Sequence, residues 1–211
     1  IDLSTGINRQ PYPVPRLSPA AWTNLPTASA MAALMETAAT AFGTAAPGLA
    51  LAGAQAAIQM IPLLEQPGLA RVLAPTYNEH AACLRQAGWR VEEVSRLEEL
   101  SGADLAVVVN PNNPTGRLID REALADLATQ LSARGAVLLV DEAFADTSPE
   151  SSVARFVDMN DNLIVFRSFG KFFGLAGLME DTTGEDGGMP VMAFVGFQAV
   201  FAILTVALIS G

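Results

Sequence analysis

Short apolar segments alternate with amphipathic stretches along most of the chain, and this alternation limits the possible folds more than any other feature. Residues 136–140 form an uninterrupted apolar run, and residues 120–134 before them have the spacing of a helix with one apolar face. Strands of a parallel sheet are apolar throughout because helices cover both faces of the sheet. The pattern therefore predicts an α/β fold, with a mostly parallel sheet and helices on both of its faces.

One lysine stands out at the end of a predicted strand, where ligands bind in sheets of this kind. Lys171 is the only lysine among 211 residues, and it follows the apolar run 163–166. Its neighbours Phe169, Phe172 and Phe173 would desolvate the amine and lower its pKa, and an amine with a lowered pKa can act as a nucleophile. A loop lysine that extends from an apolar surface would show the same pattern, so this stretch alone leaves both interpretations open.

Two further predicted strands are followed by polar residues that can carry chemistry. Residues 110–116, Asn-Pro-Asn-Asn-Pro-Thr-Gly, form a rigid turn that either aims an asparagine at a ligand or serves only as a turn. Asp141 ends the apolar run 136–140, where an unpaired carboxylate is costly. Its cationic partner would be either Lys171 or a protonated heteroaromatic nitrogen of a ligand.

The composition disfavours several classes of partner. With 12 lysine and arginine residues against 22 aspartate and glutamate residues, the net charge of −10 argues against binding of nucleic acid or anionic membranes. The single cysteine, Cys83, cannot form an internal disulfide, which favours a cytoplasmic protein. The sequence has no cluster of metal ligands and no GxGxxG or Walker-type loop, so we predict no metal site. We expect the lone His80 to lie at the surface.

The motifs at the predicted strand ends, taken together, resemble a known family. Asn-Pro-Asn-Asn-Pro-Thr-Gly at 110–116, Asp-Glu-Ala-Phe at 141–144 and Ser-Phe-Gly-Lys at 168–171 occur in the order found in pyridoxal-phosphate enzymes of the class I/II aminotransferase fold. Within that fold, the chain looks closest to threonine-phosphate decarboxylases of cobalamin biosynthesis and histidinol-phosphate aminotransferases. The resemblance implies the large domain of fold type I in incomplete form, pyridoxal 5'-phosphate as the cofactor, and a homodimer.

The resemblance also implies roles for individual residues. Lys171 would form the Schiff base with the cofactor and later move the proton at the substrate carbon. Asp141 would keep the pyridine nitrogen protonated, which makes the ring an electron sink. Asn113 would hydrogen-bond the phenolic oxygen of the cofactor, and Tyr77 would stack on its ring.

Further residues match the phosphate and substrate contacts of the family. Gly53, Ala54 and Gln55 match a phosphate-binding turn at a helix N-terminus, where free N–H groups favour an anion. Ser168 matches another phosphate ligand. Asn8, in the segment Ser-Thr-Gly-Ile-Asn that precedes Tyr-Pro, would contact a small phosphorylated amino-acid substrate.

The expected reaction is decarboxylation of L-threonine O-3-phosphate to aminopropanol phosphate. Transamination of the histidinol-phosphate type is the alternative, because much of the substrate-orienting set lies in a C-terminal domain of the family that this sequence does not contain. Phe144 stands where transaminases often carry a tyrosine that contacts the phenolic oxygen.

The resemblance covers residues 1–178, and the character of the chain then changes. We expect an N-terminal arm and helix over 1–48, the partial cofactor-binding domain over 49–178, an acidic glycine-rich linker over 179–190 and an apolar tail over 191–211. Met179 follows Gly-Leu-Ala-Gly-Leu, where the family has an arginine for the cofactor phosphate.

The apolar tail differs from the rest of the chain in its lack of charge. Residues 191–209 carry no charge, which predicts an apolar helix of transmembrane length, with a core helix or a replacement strand as the soluble alternative. The tail also resembles a transmembrane segment of ammonium transporters. We hypothesise that the chain joins two reading frames; a membrane-anchored enzyme, a transporter fragment or a catalytically inactive remnant are the alternatives.

Overall fold

A single mixed sheet organises the part of the protein that the computed structural model describes, residues 5–176 and 200–204. Its strands are β1 Leu49–Leu51, β2 Leu69–Leu73, β3 Arg90–Val94, β4 Leu105–Val109, β5 Val137–Asp141, β6 Leu163–Arg167 and β7 Val200–Leu204. The helices are α1 Ala20–Thr23, α2 Ala28–Phe42, α3 Gly53–Met60, α4 Glu79–Gln86 and α5 Arg121–Ser132. Short 3-10 helices lie at Ile61–Leu63, Leu97–Gly102, Ala145–Thr147, Pro149–Ser151 and Ala154–Met159.

The strand order is β1-β7-β6-β5-β4-β2-β3. Neighbours from β3 through β2, β4 and β5 to β6 pair in parallel. Strand β7 runs antiparallel to both β1 and β6. The predicted mostly parallel sheet is thus confirmed, and the carboxyl ends of β4, β5 and β6 lie side by side at one edge.

Two apolar cores lie on the two faces of the sheet, because successive side chains of a strand point to opposite faces. In β4, Ala106 and Val108 join one core, whereas Leu105 and Val107 join the other. Helix α5 packs its leucines into the first core, and α3 and α4 pack into the second. Helices therefore cover both faces of the sheet, as predicted. Each fully buried leucine in these cores contributes roughly 1.5–3 kcal/mol to the free energy of folding.

The ends of the helices follow from local chemistry. Asp120 caps α5 by accepting hydrogen bonds from the amides of Glu122 and Ala123. Helix α3 ends at Met60. Pro62 lacks the amide that would continue the α-helical ladder, and a 3-10 turn takes over.

The structure differs from the predicted apolar C-terminal helix at the residues it describes in the tail. Residues 200–204 form β7, in which Ala202 lies opposite Leu49 and Leu204 lies opposite Ile164. A strand at this place pairs the backbone groups of β6 that would otherwise lie at an open edge. The replacement strand is thus the alternative that the structure supports there. The linker over 179–190 and the rest of the tail lie outside the described residues.

Within the described part of the chain, no helix combines the length and the apolar character needed to cross a membrane.

A buried ion cluster joins the ends of β5 and β6. Arg167, the last residue of β6, is 5% exposed and donates to Glu142 at 3.0 Å and to Asp146. Glu142 also accepts the Ser152 hydroxyl and the Val153 amide, both at 2.6 Å. Burial raises the pKa of both Glu142 and Asp146, and the Arg167 guanidinium opposes the shift. The cluster holds the segment after β5 against the end of β6.

Replacing Glu142 with alanine should destabilise the fold substantially, because Asp146 is then the one carboxylate partner left to Arg167 among the described residues. We expect a loss of about 3 kcal/mol in the free energy of unfolding, the lower end of the range for a broken buried pair. Urea denaturation at neutral pH measures this loss.

Glu65→Ala is the matched control, since Glu65 is exposed, and should change the free energy of unfolding by less than about 0.5 kcal/mol. A loss of about 1 kcal/mol or less for Glu142→Ala, the range of a surface ion pair, would contradict this account of the cluster.

Candidate active site

A cavity of 610 Å³ lies beyond the carboxyl ends of β4, β5 and β6. Eight of the nine residues that the sequence predicts for the site line it, namely Gly53, Ala54, Gln55, Tyr77, Asn113, Asp141, Ser168 and Lys171. The exception is Asn8. The parallel topology explains the convergence, because strand ends far apart in sequence meet at one edge of the sheet.

Asp141 is the buried centre of the cavity wall. It is the last residue of β5 and lies between Val109 and Phe166 of the neighbouring strands. One carboxylate oxygen lies 2.9 Å from Nε2 of His80, and the other accepts the Ala143 amide at 3.0 Å. Two partners on its two oxygens hold the carboxylate in one orientation.

The expectation that His80 lies at the surface is wrong, because His80 is only 2% exposed. It lies in the first turn of α4, four residues before the buried Leu84, and therefore on the helix face that packs against the sheet. This i, i+4 spacing was the signal in the sequence that could have revealed its burial. Among the described residues, the side-chain partner of Asp141 is His80, and no ion pair joins Asp141 to Lys171.

The two asparagines that precede Asn113 in its turn hold the loop in place. Asn110 donates to the Ile119 carbonyl and accepts the Ile119 amide. Asn112 donates to the Pro75 carbonyl and accepts the Thr76 hydroxyl, which ties this loop to the segment before Tyr77. Among the described contacts, the side chain of Asn113 makes no hydrogen bond, so its amide remains available to a ligand in the cavity.

Tyr77 stands at the mouth of the cavity with 39% of its surface exposed. Its ring meets the His80 ring edge-on, with centroids 6.3 Å apart. Desolvation raises the pKa of the Tyr77 phenol, and the nearby charges of Glu79 and Asp141 raise it further. The phenol therefore stays neutral at physiological pH and presents an aromatic face that can cover a planar ligand.

The first turn of α3 and the loop after β6 supply neutral donors to the cavity. Gly53 begins α3 with a φ of 83°, and the first amides of a helix have no partner within it. The Gln55 side chain donates to Glu79 at 3.2 Å and is thereby held to α4. Ser168 is buried, and its hydroxyl oxygen accepts the Gly170 amide at 3.2 Å. Such donors suit a phosphate group.

Lys171 is half-buried and is the basic side chain among the residues that line the cavity. The phenylalanines expected to desolvate it pack on one another, with ring centroids of Phe173 at 5.4 Å from Phe169 and 5.2 Å from Phe172. They do not belong to the residues that line the cavity. Its apolar wall is formed instead by Ile58, Val109, Ala143, Phe144 and Ala176.

The donor set fits pyridoxal phosphate. An amine that can bind an aldehyde, a buried carboxylate that can face a ring nitrogen, and an amide that can meet a phenolic oxygen share one cavity. Tyr77 can cover the ring, and the turn at Gly53 with Ser168 can hold the phosphate. Asn8 lies outside this cavity, and its side chain donates to the Phe172 carbonyl at 2.8 Å.

Comparisons with known proteins bear on the family of the chain. The family described as aminotransferase class I and II matches residues 21–179. The threonine-phosphate decarboxylase of Pseudomonas aeruginosa is 47% identical over 180 residues, which are 84% of this chain and 53% of that protein. A histidinol-phosphate aminotransferase of Pectobacterium carotovorum is 35% identical over 112 residues, which are 53% of this chain and 31% of that protein.

Among solved structures, the L-threonine-O-3-phosphate decarboxylase of Porphyromonas gingivalis has a TM-score of 0.65. The two sequences are 21% identical, and the match covers 76% of this chain and 53% of that chain. At this identity the likeness concerns the fold. The chain spans about half the length of the curated relatives it matches. The likeness of the tail to ammonium transporters has no support in these matches and stays a prediction.

The match to the family extends over most of the chain, and it confirms the predicted family, the enzyme class and pyridoxal phosphate as the cofactor. The chain belongs to the aminotransferase class I and II family.

Proposed function

We propose that this chain is part of an enzyme that decarboxylates L-threonine O-3-phosphate with pyridoxal phosphate, as expected for a step in cobalamin biosynthesis. The observation that carries the proposal is the 47% identity to a threonine-phosphate decarboxylase over 84% of the chain. The match to a histidinol-phosphate aminotransferase is weaker and covers 53% of the chain. Transamination of that type is the second candidate.

The side chains of the cavity support this chemistry. When bound, pyridoxal phosphate supplies an aldehyde that condenses with amines and a ring that withdraws electrons from bonds at the α-carbon. Lys171 would bind the aldehyde and return a proton to the α-carbon. Asp141, held by His80 and the Ala143 amide, would keep a proton on the ring nitrogen. Asn113 would donate to the phenolic oxygen.

Decarboxylation breaks the bond between the α-carbon and the carboxylate. The carboxylate leaves as carbon dioxide, its bonding electrons remain on the substrate, and a proton then adds to the α-carbon to give aminopropanol phosphate. Transamination would instead remove the α-proton and yield a keto acid. Phe144 lines the cavity without a hydroxyl, so the contact to the phenolic oxygen rests on Asn113 in either reaction.

The proposal includes a cytoplasmic homodimer that acts on a small phosphorylated amino acid and not on nucleic acid. The division into an arm over 1–48, a cofactor-binding domain over 49–178, a linker over 179–190 and a foreign tail over 191–211 also remains a proposal. Sequencing of the source DNA across the codons for residues 178 and 179 tests the misjoined frame. A continuous read that encodes both residues would contradict it.

The reaction is tested by incubating the cofactor-loaded chain with L-threonine O-3-phosphate and measuring both products. We expect carbon dioxide and aminopropanol phosphate in equal amounts. A 2-keto acid without carbon dioxide would support the second candidate instead. Neither product from a folded, cofactor-loaded chain would contradict the proposal that these residues retain the activity.

Borohydride reduction of the chain with bound pyridoxal phosphate should label Lys171. The sequence is favourable for this experiment because Lys171 is its only lysine, so the α-amino group is the one other primary amine. Peptide mapping by mass spectrometry locates the label. The control variant Lys171→Ala should lose it, and a label confined to the N-terminus of the unmodified chain would refute the assignment.

Replacing His80 with leucine should weaken binding of pyridoxal phosphate, because the buried Asp141 carboxylate loses the hydrogen bond that orients it. Loss of a bond to a charged group predicts an increase in Kd on the order of tenfold or more. Absorbance titration of the purified variants measures Kd.

His80→Gln keeps a donor and should restore part of the affinity, whereas Cys83→Ala on the same helix is the matched control and should bind as the unmodified chain does. An unchanged Kd for His80→Leu would show that His80 does not act through Asp141.

A further inference from the structure

The segment at the N-terminus that precedes α1 lies across the loop that carries Lys171. We call residues 6–12 the strap and residues 168–174 the lysine loop. The Asn8 amide donates to the Lys171 carbonyl at 2.9 Å, and the Tyr12 amide donates to the Phe173 carbonyl at 2.8 Å. The Asn8 side chain donates to the Phe172 carbonyl at 2.8 Å. Three consecutive carbonyls of the lysine loop thus accept bonds from the strap.

The Lys171 carbonyl is held from two directions. Besides the Asn8 amide, it accepts the Gly174 amide at 3.1 Å, so both of its lone pairs are engaged. The loop follows the last residue of β6 and has no strand or helix ladder of its own. The strap therefore supplies bonds that would otherwise come from secondary structure, and one of them reaches the residue that carries the amine.

Gly174 permits the close approach of the strap. It has a φ of 66°, and a Cβ built on it would lie 2.6 Å from the Asn8 carbonyl oxygen and 2.9 Å from the Pro11 Cα. Both atoms belong to the backbone of the strap, which cannot move aside by a change of rotamer. Any larger residue at 174 would push the strap away from the loop.

Packing at both ends of the strap supports the same placement. At one end, a Cβ on Gly6 would lie 2.9 Å from the Phe144 ring, which lines the cavity. At the other end, the Tyr12 ring meets the Phe173 ring edge-on, with centroids 5.9 Å apart. Asn8 is thus placed between two contacts and points its amide at the loop rather than into the cavity.

We propose that the strap positions the lysine loop, and that Asn8 is a positioning residue for Lys171 and not a substrate contact. The proposal rests on the proposed role of Lys171 as the residue that binds the cofactor aldehyde. It predicts that release of the strap weakens the reaction of the Lys171 amine with pyridoxal phosphate, although no residue that lines the cavity is changed.

Gly174→Ala, Asn8→Ala and the control Gly135→Ala test the proposal together. Gly135 has a φ of 70° and no atom within 4 Å of a built Cβ, so its substitution carries a similar backbone cost without touching the strap. Hydrogen exchange of the cofactor-free chains reports whether the amides of Asn8 and Tyr12 stay protected. The second measurement is the concentration of pyridoxal phosphate that gives half-maximal borohydride label on Lys171.

We expect Gly174→Ala to lose protection at Asn8 and Tyr12 and to raise the half-maximal concentration about fivefold or more, as for the loss of one or two hydrogen bonds. Asn8→Ala removes the one side-chain bond from Asn8 to the lysine loop, together with the bond that the Asn8 side chain accepts from the Gln10 amide within the strap. It should raise the half-maximal concentration about threefold. Gly135→Ala should leave both measurements as in the unmodified chain.

A half-maximal concentration that stays unchanged in Gly174→Ala and Asn8→Ala would overturn the role of the strap while leaving the role of Lys171 intact. Protection of Asn8 and Tyr12 that survives Gly174→Ala would overturn it as well. Absence of any label on Lys171 in the unmodified chain would overturn both this inference and the proposed cofactor contact.

Discussion

The site depends on one buried carboxylate at the end of a central strand. Asp141 is 4% exposed, and its oxygens meet His80 and the Ala143 amide. An ionised carboxylate at such a place is stable only with partners of this kind, and it creates a strong preference for a positive group in the cavity. Asp141 and Lys171 line the same cavity, and together they suit the proposed ligand, which has an electrophilic carbon and a basic ring nitrogen.

Three sets of hydrogen bonds hold these groups in place. The Arg167 cluster joins the ends of β5 and β6, and the strap holds the loop that follows β6. The asparagines beside Asn113 perform the same task for the loop after β4. Three strand ends thus receive three separate sets of hydrogen bonds, which is a physical basis for a preorganised site on irregular backbone.

Strand ends and motifs were predictable from the sequence because parallel strands leave continuous apolar runs and turns leave prolines and asparagines. The motifs around Asn113, Asp141 and Lys171 led to residues that share one cavity. The contacts of His80 and of Arg167 were harder to predict, since each depends on a partner more than 20 residues away. For residues 200–204 the sequence favoured a helix and offered a strand only as an alternative, because an apolar run without charges fits a helix or a strand equally well.

The most direct test of the account is a crystal structure of the chain with bound pyridoxal phosphate. We expect electron density in the cavity, with the aldehyde carbon bonded to Nζ of Lys171 and the ring nitrogen about 3 Å from an Asp141 oxygen. Density for the ring away from Asp141, or outside this cavity, would contradict it.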